Sequence, residues 1–335
     1  MFDVVAIGDA LIDFTPLNLE MAEAREDDSN DNRGLSFEVN VGGTSANFCA
    51  CAAKLGLNAA LVSRVGNDFL GEKIVRQISA LSVDVSEVQF DEQHFTTLTF
   101  VNLSDGERSF SFSRKNGADI YLNYEDIDIE KVLNTKAIQV SGMSFTDEII
   151  RESTIKVLEE ASKRHILVTM DINYREPLWE SASIFKNTMS KVLPYVDILK
   201  GCEEEMLLLA DKDDYLDACG ALIDMGVPTV VMSAGAKGAF FMNDRFKGYT
   251  NTYDTNRVDT TGAGDSFMAA LVYSILSSCD QKMCDINKID LHDFIDFANA
   301  AGACSITKRG GVNSAPALQD IKKCRDEARR LVIEW

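Results

Sequence analysis

The sequence predicts an α/β fold: a mostly parallel sheet with helices on both faces, carrying a smaller one-sided sheet. Three observations predict it. Short continuous apolar runs recur at residues 137–140, 166–170, 198–199 and 229–232, as strands buried on both faces require. Helix-like segments such as residues 147–164 separate them. Residues 97–101 and 109–113 instead alternate strongly, with Asp105-Gly106 between them as a hairpin turn. Strands of that kind fit a small sheet with one open face.

The first strand covers residues 4–7 and ends at Gly8. Residues 20–33 are rich in Asp, Glu, Asn and Ser and are expected to form an exposed loop. Residues 35–41 alternate and predict a strand, 45–55 a small-residue helix, and 59–65 another strand. From residue 137 the chain repeats strand and helix, so ligands are expected beyond the carboxyl ends of the strands. There is no internal repeat, low-complexity tract or linker. The whole chain, 1–335, is expected to be one domain, with the small sheet (segments about 12–40 and 96–116) inserted into the larger body.

At 335 residues, with 46% hydrophobic and 26% charged residues, the chain can bury a large core. Its net charge of -20 argues against nucleic acid or an anionic membrane as the main partner. No run approaches the roughly 18 apolar residues of a membrane span. The N-terminus lacks a basic region followed by an apolar stretch, so a cytoplasmic protein is expected. Eight cysteines show no paired zinc spacing, and there are three histidines. Reduced thiols are expected rather than a structural zinc site.

The segment Asp259-Thr260-Thr261-Gly262-Ala263-Gly264-Asp265 carries the most chemistry. A turn of small residues leads into an apolar stretch from Phe267 to Ile275 with helical spacing. The turn therefore meets a helix N-terminus, where free N–H groups and the helix dipole suit an anion. Asp265 beside them is either a cap or a general base next to bound phosphate. Earlier in the chain, Gly42 and Gly43 allow close backbone approach, and Asp13 and Asn47 can bond hydroxyls.

These two segments, D-T-T-G-A-G-D-S-F and Val41-Gly42-Gly43-Thr44-Ser45-Ala46-Asn47, resemble the two signatures of the ribokinase-like (PfkB) carbohydrate kinases, in the family's order. The resemblance runs from Gly8 to Pro316. It implies a three-layer α/β/α sandwich whose small β-sheet is a lid over the sugar. It implies Asp265 as catalytic base, with backbone N–H groups across Gly262, Ala263 and Gly264 as anion hole. Asp13, Gly42, Gly43 and Asn47 fall on the sugar side. Residues 106–114 and Asp171-Ile172-Asn173-Tyr174-Arg175-Glu176-Pro177-Leu178-Trp179 resemble bacterial fructokinases, which places Phe112, Arg114 and Arg175 near substrate. For both arginines a structural ion pair is the alternative.

On the nucleotide side, Lys200 and Cys202 match the N-x-x-E region, with Cys where Asn is usual. Glu205 matches the Glu that influences Mg²⁺. Ser233, Gly235 and Gly238 match a T-x-G-x-x-G nucleotide loop, and Asn299 the adenine side. Asp259 and Thr261 match positions that help form a monovalent-cation site in many relatives, so K⁺ activation is plausible. The resemblance thus implies an ATP-dependent fructokinase using Mg²⁺, with a homodimer through the lid as a further expectation. The alternatives are a kinase for 2-keto-3-deoxygluconate, ribose or a nucleoside, or a pseudokinase that binds without turnover. A NAD-binding protein would need G-x-G-x-x-G after the first strand, and Gly8-Asp9-Ala10-Leu11 does not supply it.

Overall fold

The computed structural model describes residues 1–17, 36–104, 107–278, 286 and 289–333. The polar segment 20–33 and the Asp105-Gly106 turn lie outside the described residues.

Among the described residues nine strands form the large sheet, in the order β13-β12-β11-β10-β9-β8-β1-β4-β5. Its central strands are β1 (Phe2–Ile7), β8 (Thr135–Ser141), β9 (Leu167–Asp171), β10 (Ile198–Cys202) and β11 (Thr229–Ser233). These pair in parallel, as do β4 (Ala59–Gly66) and β5 (Asp84–Asp91) on the far side. The strands β12 (Ala239–Asn243) and β13 (Lys247–Thr250) close the other edge antiparallel.

Alternate residues of the central strands feed two separate apolar layers. On β1, Val4 and Ala6 pack on one side and Val5 and Ile7 on the other; on β11, Val231 faces the first layer and Val230 and Met232 the second. The first layer is completed by α1 (Thr44–Lys54), α8 (Ala263–Ser278), α9 (His292–Ser305) and α11 (Leu318–Glu327). The second is covered by α4 (Glu148–Lys163), α5 (Ala182–Val192) and α7 (Tyr215–Asp224). This is the three-layer arrangement that double-sided apolar runs demand.

The second sheet has four strands, in the order β3-β2-β6-β7: β3 (Phe37–Gly42), β2 (Leu11–Pro16), β6 (Leu98–Ser104) and β7 (Glu107–Ser113). Asp13, Thr99 and Phe112 lie side by side across β2, β6 and β7. Period-two alternation puts all three on one face, toward the carboxyl ends of the large sheet.

The helix expected from Phe267 begins earlier, at Ala263. Gly262, at φ +79°, turns the chain, and its carbonyl accepts from the Ser266 N–H at 2.9 Å. Gly264 and Asp265 therefore belong to the first helical turn rather than to the loop before it.

Candidate active site

A cavity of about 440 Å³ lies between the two sheets. Its floor comes from the carboxyl ends of the large sheet: Asp9 after β1, Asp171 on β9, and Lys200 and Cys202 on β10. Asp13, Thr99, Phe110 and Phe112 from the small sheet form the opposite wall. Gly43, Asn47, Arg175, Glu205, Thr261, Gly262, Gly264 and Asp265 complete it.

Asp265 is 8% exposed and sits in the first turn of α8. Burial pushes its carboxyl up to about 7, and the nearby Asp171 carboxylate adds to this. The Asn47 amide, donating to Asp265 Oδ2 at 2.8 Å, and Lys200 pull it part of the way back. The result is a carboxylate that can take a proton near neutral pH. Asn47 is held in place by a missing side chain: a Cβ on Gly311 would lie 2.2 Å from its Oδ1.

Asp13 is also raised to about 7, by burial and then by Asp9 and Asp259. Gly42 does not itself line the cavity; a Cβ there would stand 2.1 Å from Asp13 Oδ2, so the glycine makes room for that carboxylate. Gly43, at φ +100°, brings the backbone against Asp9. The Thr44 N–H donates to Asp9 Oδ2 at 2.9 Å. Asp9 Oδ1, Asn47 Oδ1 and Asn173 Oδ1 are buried acceptors without a hydrogen-bond partner, and all three residues line the cavity. Three orphaned acceptors around one cavity call for a ligand rich in donors, such as a polyol.

Lys200 Nζ lies 2.7 Å from Asp171 Oδ2, with both groups buried. Burial opposes its charge, but Asp171 and Glu205 outweigh that and raise its pKa. A Cβ on Gly264 would stand 2.7 Å from the same ammonium, so Gly264 lets Lys200 reach the start of α8. Glu205 accepts from the Tyr174 and Cys202 N–H groups, each at 2.8 Å, and so caps α6 (Glu203–Ala210). Arg175 stands 3.8 Å from Glu205 and 5.9 Å over the Phe110 ring, with its side chain 38% exposed.

Cys202 Sγ lies 3.2 Å from Glu204 Oε2, and burial with the neighbouring Glu205 pushes the thiol up to about 12. We therefore expect Cys202 to react slowly with a thiol-specific disulfide reagent at pH 8, and Cys202→Ser to keep turnover within about twofold. Rapid labelling of Cys202 would mean a thiolate is present.

Arg114 corrects the expectation of a sugar contact. It follows β7, is 2% exposed and is absent from the cavity wall. Its Nε donates to Asp119 at 2.7 Å, Nη1 to Thr146 at 2.6 Å and Nη2 to the Met143 carbonyl at 2.9 Å. The ion-pair alternative describes it. The physical reason is burial: a guanidinium this deep is spent on neighbouring acceptors.

A second cavity of about 370 Å³ opens on the other side of the α8 start. Ser233 at the end of β11 and Gly235 and Gly238 after it line it, as do Asn299 on α9 and Ala263. Asn299 Nδ2 also donates to the Thr250 carbonyl and hydroxyl, at 3.0 and 2.7 Å, and so pins β13. Gly238 has φ +101°, and a Cβ there would collide with the Thr250 carbonyl at 2.0 Å. Thr260 and Gly264 line both cavities. Asp259 lies just behind them, buried, accepting from the Thr261 N–H at 2.7 Å and the Gly310 N–H at 3.1 Å.

The sequence reading did not single out Asp9, Asp171 or Asn173 as site residues. The last two stood inside a quoted motif, and Asp9 next to the first strand end. Their positions at strand carboxyl ends were the available signal.

A polyol-suited cavity and a second cavity, meeting at a helix N-terminus with a buried carboxylate, define an ATP-dependent sugar kinase. The family model for "pfkB family carbohydrate kinase" matches residues 1–318, and the chain belongs to that family. A probable fructokinase-3 of Arabidopsis thaliana is 30% identical, over 98% of this chain and 92% of its own length. Fructokinase-1 of Oryza sativa subsp. japonica is 31% identical, over 97% and 98%. Among solved structures, the ATP-bound fructokinase of Xylella fastidiosa superposes with a TM-score of 0.87 at 24% identity, covering 98% of this chain and 99% of that one. A Vibrio cholerae O395 fructokinase double mutant, solved with fructose, ADP and potassium ion, gives 0.81 at 26%, over 96% and 98%. The fold is thus ribokinase-like.

Proposed function

We propose that this chain transfers the γ-phosphoryl group of ATP to fructose, giving fructose 6-phosphate and ADP. The observation that carries the reading is Asp265, buried at the junction of the two cavities and raised to about 7. Fructose occupies the first cavity, hydrogen-bonded by Asp13, Asp9, Asn47 and Asn173. Its hydroxymethyl group faces Asp265, which accepts the hydroxyl proton as that oxygen attacks phosphorus in line. ATP occupies the second cavity. The α8 N-terminus, with the Gly262 and Gly264 N–H groups, and the Lys200 ammonium stabilise charge on the transferring group; the Ala263 N–H, expected to join them, donates to the Thr260 carbonyl at 3.2 Å.

A neutral sugar is favoured over 2-keto-3-deoxygluconate by the charges on the wall. Asp9, Asp13, Asp171 and Asp265 face the ligand, and Lys200 is already paired to Asp171. Arg175 is the cation left for a substrate carboxylate, and Glu205 lies beside it. The fructokinase relatives point the same way.

Among the described residues no group of three or more His, Cys, Asp or Glu is arranged to hold an ion. Mg²⁺ would be carried on the nucleotide phosphates and waters, with Glu205 acting through water. Mg²⁺ bound there would supply neutralisation of phosphate charge. K⁺ would sit beside the anion hole, at Asp259 and Thr261. The small sheet closes as a lid and excludes water. Its outer face carries Phe14 stacked on Phe100 at 5.1 Å with Phe37 edge-on to both, and Phe100 is 38% exposed. Such a face suits a homodimer formed through the lids. Among the described residues no helix is long and apolar enough to cross a membrane.

ADP release with MgATP tests the reading across fructose, 2-keto-3-deoxygluconate, ribose, tagatose and adenosine, with and without K⁺. Fructose is expected to give the highest kcat/KM. A higher value for another acceptor would move the specificity, and no turnover with any would sink the kinase assignment for these substrates. Arg175→Ala is expected to raise the KM for sugar by about fivefold. An unchanged KM would make Arg175 a structural partner of Glu205.

A further inference from the structure

The chain beyond α11 returns to the second cavity. Residues 329–331 run antiparallel to residues 252–254: the Asp254 N–H donates to the Arg329 carbonyl at 2.7 Å and the Leu331 N–H to the Thr252 carbonyl at 2.9 Å. Thr252 and Tyr253 line the cavity, and so does Leu331. Among the described residues no other lining residue comes from beyond Ile306, so one apolar residue of the tail completes a wall built otherwise from α8, α9, the β11 loop and the segment 252–260.

The tail is held there by a charged knot. Asp296 on α9 is 7% exposed and accepts from three side chains. The Tyr253 hydroxyl reaches its two oxygens at 2.9 and 3.1 Å, Arg325 Nε lies at 3.0 Å, and Arg330 Nη1 at 2.6 Å. Arg330 also donates to the Asn251 carbonyl at 3.2 Å and stands 4.7 Å over the Tyr253 ring. A buried carboxylate with this many donors is well satisfied, and its partners are held in register. Arg330 precedes Leu331 directly, so the knot sets where Leu331 points.

We propose that the C-terminal tail is part of the nucleotide site: Leu331 packs against the base of ATP, and Arg330, through Asp296, is the residue that positions it. The inference rests on ATP occupying the second cavity. It assigns a task to a segment outside the family motifs. An apolar contact to a flat base fits this wall, because Phe267, Ala303 and Ile306 face the same space. The triphosphate lies at the other end, toward Gly264.

The test uses the full-length chain and titrates a non-hydrolysable ATP analogue into the parent, Leu331→Ala, Arg330→Gln and Ala236→Trp. Ala236 lines the same cavity, and a Trp there fills it. Leu331→Ala and Arg330→Gln are expected to weaken analogue binding and raise the KM for ATP by about five- to tenfold. The KM for sugar and kcat should stay within about twofold, a split that general destabilisation would not produce. Thermal melts confirm that each variant is folded at the assay temperature. Normal analogue affinity in both tail variants, with Ala236→Trp binding poorly, would overturn the tail's role and leave the cavity assignment standing. Normal affinity in Ala236→Trp would remove ATP from the second cavity, and the tail's role with it.

Discussion

Asp265→Asn is expected to lose at least about three orders of magnitude in kcat and to melt at a higher temperature than the parent at pH 8. Both effects follow from one placement. The carboxyl is raised to about 7 mainly because burial penalises its charge. In the unfolded chain it titrates at the usual value near 3.8. Between those two values the native state binds the extra proton, so stability falls as pH rises from about 4 to 7. The full penalty, on the order of a few kcal/mol, is present above pH 7 and absent below about pH 4. An amide escapes it while still accepting from Asn47. The melting advantage of Asp265→Asn should therefore shrink steadily toward pH 4. The parent's kcat/KM should fall on the acid side with a midpoint near 7, as protonation removes the base. Turnover within tenfold of the parent would take the base role from Asp265, and a melting difference independent of pH would mean the carboxyl is solvated.

The second large effect is expected at Arg114. Arg114→Met should destabilise the protein by about 3–5 kcal/mol, because it strips the buried Asp119 carboxylate of its cation and leaves the Met143 carbonyl with the Thr146 hydroxyl as its remaining donor. Adding Asp119→Leu should recover much of that loss, since a buried pair replaced by apolar groups is often nearly neutral. Denaturant melts of the two single variants and the double give the coupling directly. Sugar affinity adds an independent readout. Arg114 supports the floor beside Asp9 and Met143 without touching the cavity, so a folded double variant should keep its KM for sugar within a few-fold. A large KM rise in that stable variant would return the guanidinium to the substrate.

The parts of this fold that could be read from sequence are those whose burial leaves no choice of residue. β1 and β8 to β11 are buried on both faces, and their apolar runs stand out. β2 fell inside the segment 12–40 assigned to the small sheet but was not read as a strand, because Asp13 and Thr15 interrupt it and its neighbours come from residues 37–42 and 98–104. The two antiparallel strands β12 and β13 were not read either, although Ala239–Asn243 is largely apolar. In the site, the glycines around Asp265 were legible because a tight turn before a helix has few alternatives. The Lys200–Asp171 pair was not, since 29 residues separate two groups that meet only through strand pairing. Arg114 looks the same in sequence whether it faces sugar or Asp119; the short turn Ala118–Tyr121 that brings Asp119 back to it decides the matter.

The alternation of side chains along the central strands has a thermodynamic consequence. Val4 and Ala6 belong to one apolar layer, Val5 and Ile7 to the other, and all four share a backbone that ends at Asp9. Neither layer can loosen while its counterpart stays intact, because the ladder between them is common property. Heat or denaturant should therefore meet a single cooperative unit in the large body, without a stage in which one set of helices has melted alone. The same coupling reaches chemistry. A methylene removed under α4 and one removed under α8 lie on opposite sides of the sheet, yet both act on the strands whose ends hold the reacting groups.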